Sequence, residues 1–204
     1  MATTTNYGWT TPDDTALVKD GAAAIRTLGS SIDTSLNTAL GTKKAGMVLL
    51  NTTTFSAVAS QAVNSCFSAT YDNYRIVYDL VASTSSTLSF RFRLATTDNS
   101  TSNYNEQFIS ASSTSLTGGR ATSTSFDNAV TTDRSLFIMD LSNVFLATPT
   151  GMWKTGTRYY STNANIAAII SAHSHNVSSS FDGFNLIAST GTITGSVSVY
   201  GYNK

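Results

Sequence analysis

The sequence predicts a mainly β protein, an antiparallel β-sandwich of jelly-roll type preceded by one N-terminal helix. Residues 88–94, LSFRFRL, alternate strictly between apolar and polar side chains, which is the period of a half-buried strand. Similar short segments recur along residues 46–204, separated by Ser, Thr, Asn, Asp and Gly. A helical period occurs only within residues 11–41. We therefore expect an N-terminal segment, residues 1–45, and a sandwich domain, residues 46–204.

The helix is predicted over about residues 12–40. Thr11 is a suitable N-cap, Pro12 fits the first turn, and Asp14 stands where a capping box places its acid. The larger apolar residues lie three, four or seven positions apart and form one thin stripe. The stripe consists of Val18, Ile25, Leu28, Ile32, Leu36 and Leu40. Because the other faces are small or polar, this helix needs a partner for stability.

The sequence leaves two possible partners for the helix. The spacing of Val18, Ile25 and Ile32 resembles a heptad and could seat a three-helix bundle, although Gly21 and Gly29 weaken it. The alternative is docking onto another protein. Ahead of the helix, Tyr7 and Trp9 occur in a segment too short for its own core. We expect them to dock on another surface, or else to pack back on the start of the helix.

Most strands of the sandwich are predicted by β-branched and aromatic content. A short apolar run at 47–50 comes first, and residues 104–112 are a weaker candidate. Residues 116–128 indicate a long loop or a poorly patterned edge. The remaining predicted strands are residues 74–81, 136–144, 153–160, 166–175, 184–188 and 196–202.

Composition argues against several functions. The formal net charge is zero, which disfavours nucleic acid or an anionic membrane as a partner. No apolar run is long enough for membrane insertion, and residues 1–11 lack the features of a signal peptide. With Cys66 as the single cysteine, no intrachain disulfide is possible, and a small buried core cysteine is expected.

No catalytic constellation stands out, so we expect a protein that is not an enzyme and needs no cofactor. The two histidines, His173 and His175, face the same side of a predicted strand. If they lay on the axis of a trimer, three such pairs would offer six nitrogens to an octahedral metal ion. The alternative is that both are exposed or hydrogen-bonded to hydroxyl groups.

Aromatic side chains among hydroxyls and amides suggest contact with a glycan, and the alternative is that they belong to the core or an interface. Trp153, Tyr159 and Tyr160 are the preferred candidates. The wider set adds Tyr71, Tyr74 and Tyr104.

Two stretches resemble bacteriophage proteins. Residues 6–33, NYGWTTPDDTALVKDGAAAIRTLGSSID, resemble the N-terminal segment of tailed-phage virion proteins of the tail fibre or minor structural type. Residues 191–204, GTITGSVSVYGYNK, resemble the closing strands of the β-sandwich tip in such proteins. The resemblance implies a virion component, often a homotrimer, made in the host cytoplasm, with an N-terminal anchor and a sandwich head.

The leading hypothesis is a tail fibre or baseplate-associated protein. Residues 1–41 would attach it to other virion proteins, and the sandwich would contact the host surface, including its glycans. A capsid decoration or head-fibre protein is one alternative, and a carbohydrate-binding module is another.

Overall fold

The computed structural model describes residues 2–12, 17–40, 46–160 and 165–203. They divide into two compact units, Met1–Gly46 and Met47–Lys204. The N-terminal unit contains two short antiparallel strands, β1 (Ala2–Thr3) and β2 (Thr10–Thr11), and the helix α1 (Val18–Leu40).

The predicted start of the helix is wrong. Thr11 pairs with Ala2 in the β1–β2 ladder, so its backbone is extended and it does not cap a helix. The helix begins instead at Val18, and the amide of Asp20 donates to the carbonyl of Leu17 at 2.9 Å. Asp14, the expected partner of the cap, lies outside the described residues.

The second unit is built almost entirely of strands. Along the chain they are β3 (Met47–Val58), β4 (Ser60–Val63), β5 (Asn73–Ala82), β6 (Ser86–Leu94), β7 (Thr97–Asp98), β8 (Tyr104–Ser112), β9 (Ser115–Ser123), β10 (Phe126–Val130), β11 (Ser135–Ser142), β12 (Thr150–Tyr160), β13 (Asn165–His175), β14 (Gly183–Ala188) and β15 (Ile193–Tyr202).

These strands form two antiparallel sheets. The large sheet has eight strands in the order β3-β15-β5-β11-β12-β13-β8-β9. The small sheet has the order β10-β6-β14-β4, with β7 paired to β6. Aromatic residues of both sheets meet between them, so the predicted antiparallel β-sandwich is confirmed.

The alternating pattern of β6 places three of its four apolar side chains in the core, whereas Leu94 at the end of the strand is 55% exposed. Leu88, Phe90 and Phe92 are fully buried, and the ring of Phe90 lies 4.9 Å from the ring of Phe184. From the large sheet, Val197 is buried on the facing side. Burial of these side chains is the main source of stability for the sandwich.

One flank of the large sheet extends beyond the small sheet. Residues 116–128 belong mainly to β9 and β10. The prediction of a poorly patterned edge is therefore confirmed, and the alternative prediction of a long loop is wrong. No residue of β9 is buried, which means that its inner face is not covered. Strand β10 is an edge of the small sheet, and its Asn128 and Ala129 lie beside this uncovered flank.

Candidate functional sites

The N-terminal unit leaves part of its apolar stripe uncovered. The exposed fractions are 97% for Val18, 65% for Ile25 and 50% for Leu36. Leu28 and Ile32 are half-buried. Of the five stripe side chains that the structure describes, three therefore face outward and two are half-buried.

Trp9 packs back on the helix, far from the helix start. Its indole Nε1 donates to Ser35 Oγ at 2.9 Å, and its ring stacks on that of Tyr7 at a centroid distance of 5.0 Å. By helical period, Ser35 lies on the side of α1 that also carries Leu28. Leu28 is half-buried, whereas Tyr7 remains largely exposed.

The prediction of a metal site on a trimer axis is wrong. His173 and His175 do share one side of β13, but that side faces the core of the sandwich, and both side chains are buried. Their rings lie against Phe126 and Tyr104 at centroid distances of 4.6 and 4.4 Å. Side chains held inside one domain cannot meet their copies on a shared axis. Among the described residues, no three metal-binding side chains cluster.

Burial keeps both imidazoles neutral. Loss of hydration lowers the pKa of His173 from 6.5 to about 2 and the pKa of His175 from 6.5 to about 4. His173 Nε2 shares a 2.7 Å hydrogen bond with Ser171 Oγ, so the hydroxyl-bonded alternative holds for this residue. Its 3.7 Å approach to Glu106 is a contact with a neutral ring and is not an ion pair.

Strand β13 has the reverse of the usual polarity. Ile166 and Ile170 point outward and are about half-exposed, while Ser171 points inward with the two histidines. On the neighbouring strand β12, Lys154 also points inward and is only 1% exposed. The composition of residues 166–175 predicted the strand, but its more apolar side is the outer one.

Lys154 and Glu106 form the charged centre of this inner surface. Lys154 Nζ donates to Glu106 Oε1 at 3.4 Å. Burial lowers the pKa of Lys154 and raises that of Glu106, since each loses hydration that the other only partly replaces. Neither residue was singled out from the sequence. A lysine in mid-strand, directly after Trp153, was the available signal.

Trp153 stands on the outer face of the large sheet beside an open cleft of about 560 Å³. The cleft is also lined by Asn73, Asp140, Ser142 and Tyr202. We call it the Trp153 cleft. Trp153 is 51% exposed, so one side of its indole is available to a ligand.

Asp140 is the fixed polar group of the Trp153 cleft. It accepts two 2.7 Å bonds from Arg75 and a 2.8 Å bond from the hydroxyl of Tyr202. The hydrogen bonds from Arg75 lower the pKa of this carboxyl. Trp153 was identified from the sequence, but Asp140 was not, because strand pairing between distant segments brings the two together.

The other aromatic candidates lie elsewhere. Tyr74 and Tyr104 are buried in the core, so the prediction that they contact a glycan is wrong. Tyr159 is exposed on the same face of β12 as Trp153, six positions away, and Tyr160 lies on the opposite face beside Arg158. The three preferred aromatics therefore do not form one site.

Two other expectations can be compared with the structure. Cys66 is buried, as expected for a core cysteine, and burial raises the pKa of its thiol. Among the described residues, no helix is both long enough and apolar enough to cross a bilayer.

Comparison with known proteins gives little. No protein-family model matches the chain, and no curated protein matches it. Among solved structures, galectin LEC-6 of Caenorhabditis elegans is similar to 78% of this chain and 98% of its own, with 10% sequence identity and a TM-score of 0.32. A similarity this distant carries no argument about function.

Proposed function

We propose that this chain is a structural protein of a tailed-phage particle, attached to other virion proteins through residues 1–41. The sandwich would be displayed toward the host surface from the tail fibre or baseplate. The observation that carries the proposal is the uncovered apolar stripe of α1, with Val18, Ile25 and Leu36 exposed. Exposed apolar surface of this kind marks an interaction site.

The organisation of the chain supports this assignment. The sandwich has a closed aromatic core of its own and does not need the helix to complete it. Among the described residues of the N-terminal unit, the helix is held by the Trp9 hydrogen bond to Ser35 and by contacts with β2. The resemblance of residues 6–33 to the N-terminal segment of virion proteins gives the partner its class. A homotrimer belongs to the same proposal and would have three times the chain mass of 21.6 kDa in light scattering.

Charge placed on the stripe tests the attachment. We expect the double variant Ile25→Asp with Leu36→Asp to fold but to be lost from particles, because a partner would have to bury two carboxylates. The matched control is Asn37→Asp, an exposed position of the same helix. Each tagged chain is supplied during infection, and the particle-bound fraction is measured after gradient purification.

Incorporation of the double variant at the level of the unaltered chain would contradict the proposal. Equal loss in the Asn37→Asp control would also contradict it, because the stripe would then have no special role. Antibody labelling of intact particles separates the tail assignment from the capsid decoration alternative.

A second function, glycan binding, is favoured by the Trp153 cleft. A half-exposed indole beside a carboxylate, an amide and hydroxyls is an arrangement that suits a sugar ring, whose C–H face packs on the aromatic ring while its hydroxyls bond the polar groups. We expect Trp153→Ala to weaken glycan binding about tenfold. Tyr159→Ala is the control, since Tyr159 is exposed on the same strand outside the cleft.

An array of host surface glycans, followed by titration of the bound members, measures the effect. Glycan binding at this cleft would be overturned if the unaltered chain bound no glycan on the array, or if Trp153→Ala bound as tightly as the unaltered chain.

A further inference from the structure

A second pocket lies at the uncovered flank of the sandwich, between the inner face of the large sheet and strand β10. It encloses about 200 Å³. Its charged and polar lining includes Glu106, Lys154, Arg158 and Asn128. We call it the flank pocket. Because Lys154 points inward and Trp153 outward, this pocket and the Trp153 cleft lie on opposite faces of the large sheet.

Two buried polar atoms at the flank pocket have no hydrogen-bond partner among the described residues. One is Oδ1 of Asn128, whose side chain is 3% exposed and whose Nδ2 donates to the Tyr78 hydroxyl at 3.2 Å. Turning the amide around would satisfy its oxygen but free its nitrogen, so one polar atom stays unpaired in either orientation. The other atom is Nε of Arg158. Buried groups of this kind are normally satisfied, which points to a bound molecule with hydroxyl-like groups.

The charges and apolar surface of the flank pocket narrow the ligand class. Glu106 and Asp127 contribute two negative charges, and Lys154 and Arg158 contribute two positive charges, so the lining is balanced. A neutral ligand suits this balance better than an ionic one. Phe108 adds a half-buried ring to the lining, against which the C–H groups of a sugar can pack.

We propose that the flank pocket binds a single neutral sugar residue. Both atoms have less than 1 Å² of exposed surface, so the two side chains would have to rotate toward the pocket. A sugar hydroxyl could then accept from Arg158 Nε, and another could donate to Asn128 Oδ1, because each hydroxyl is both donor and acceptor. The volume is below the roughly 300–1,000 Å³ typical of sites for drug-sized ligands, which fits one ring and excludes an extended oligosaccharide. This inference goes beyond virion attachment and is independent of the Trp153 cleft.

Ligand-observed saturation-transfer NMR on the whole 204-residue chain tests the pocket, with the methyl glycosides of glucose, galactose, mannose and the anionic sugar glucuronate as probes. Ala129→Phe fills the pocket from its exposed rim on β10. Ala111→Phe is the matched control, since Ala111 is exposed on the outer face of β8. Arg158→Lys keeps the charge but removes the Nε donor. Circular dichroism establishes that each variant is folded.

We expect transfer to at least one glycoside in the unaltered chain and in Ala111→Phe. Transfer should fall in Ala129→Phe to whatever the Trp153 cleft contributes, and the affinity of Arg158→Lys should fall about tenfold. Three results would overturn the proposal: no transfer to any glycoside, undiminished transfer in Ala129→Phe, or transfer only to the anionic sugar glucuronate. Loss in Trp153→Ala with retention in Ala129→Phe would place binding in the Trp153 cleft and overturn it as well.

Discussion

Apolar side chains are mostly buried in the sandwich, whereas those of the helix stripe in the N-terminal unit are mostly exposed. In the sandwich, Leu88, Phe90 and Phe92 of β6 are fully buried among aromatic rings. In the N-terminal unit, Val18, Ile25 and Leu36 form a regular stripe and remain exposed. A periodic apolar pattern thus builds a core in one unit and leaves an open surface in the other. The sandwich therefore has its own core, and the open stripe is the surface that our proposal assigns to a partner.

Truncation of one apolar side chain in each unit should give the largest contrast. Phe90→Ala removes a ring packed against Phe92 and Phe184 and should cost about 3–5 kcal/mol of unfolding free energy. Ile25→Ala should change stability by less than about 0.5 kcal/mol, because the side chain is mostly exposed. Urea denaturation followed by circular dichroism measures both. A large loss in Ile25→Ala would mean that the stripe already serves a core.

A smaller contrast lies within the sandwich itself. The β6 side of the core is apolar, whereas the inner face of β13 carries Ser171, His173 and His175. Buried polar groups of this kind stabilise little and must be kept neutral or paired. The inner face of β13 is therefore the part of the sandwich core whose composition is hardest to explain by stability.

The buried histidines should make the sandwich sensitive to mild acid. An unfolded histidine has a pKa of about 6.5. In the folded chain the pKa of His175 is lowered to about 4 and that of His173 to about 2. As the pH falls below 6.5, protons therefore bind the unfolded chain first, and stability is lost progressively toward pH 4 for His175 and toward pH 2 for His173. We expect each histidine to cost about 2 kcal/mol between pH 7 and pH 5.

Urea titrations at pH 7, 6 and 5 measure this loss. The variants His173→Gln and His175→Gln should each show a shallower pH dependence than the unaltered chain, since each removes one titrating group. If the unfolding free energy of both variants depends on pH as steeply as that of the unaltered chain, the two histidines are not the source of the acid sensitivity. That result would contradict their burial in the core.

The sequence was informative where local pattern and tertiary packing agree. Strict alternation in β6 predicted both the strand and its buried face. The composition of β9 gave no such signal, because an edge strand that is open on both faces needs no apolar alternation. The two-residue strands β1 and β2 are too short to show the alternation of a strand in the sequence. The pattern around Thr11 therefore predicted a helix cap and not a strand.

The candidate sites were predictable only in part. Residue type and spacing were enough to predict Trp153 and the helix stripe as candidate sites. They could not predict that the side chains of His173 and His175 point into the core, because a period of two fixes which residues share a face but not which face is inside. The flank pocket requires β8, β10 and β12 to meet, and pairings between segments this distant leave no trace in one sequence.

Hydrogen exchange on the helix tests the central claim most directly. In the free chain, the backbone amides of residues 18–40 should exchange quickly, because the helix has few stabilising contacts. In purified particles the same amides should be strongly protected, while the core strands β5 and β11 should be protected equally in both states. Rapid exchange of residues 18–40 in the particle would contradict attachment through this helix.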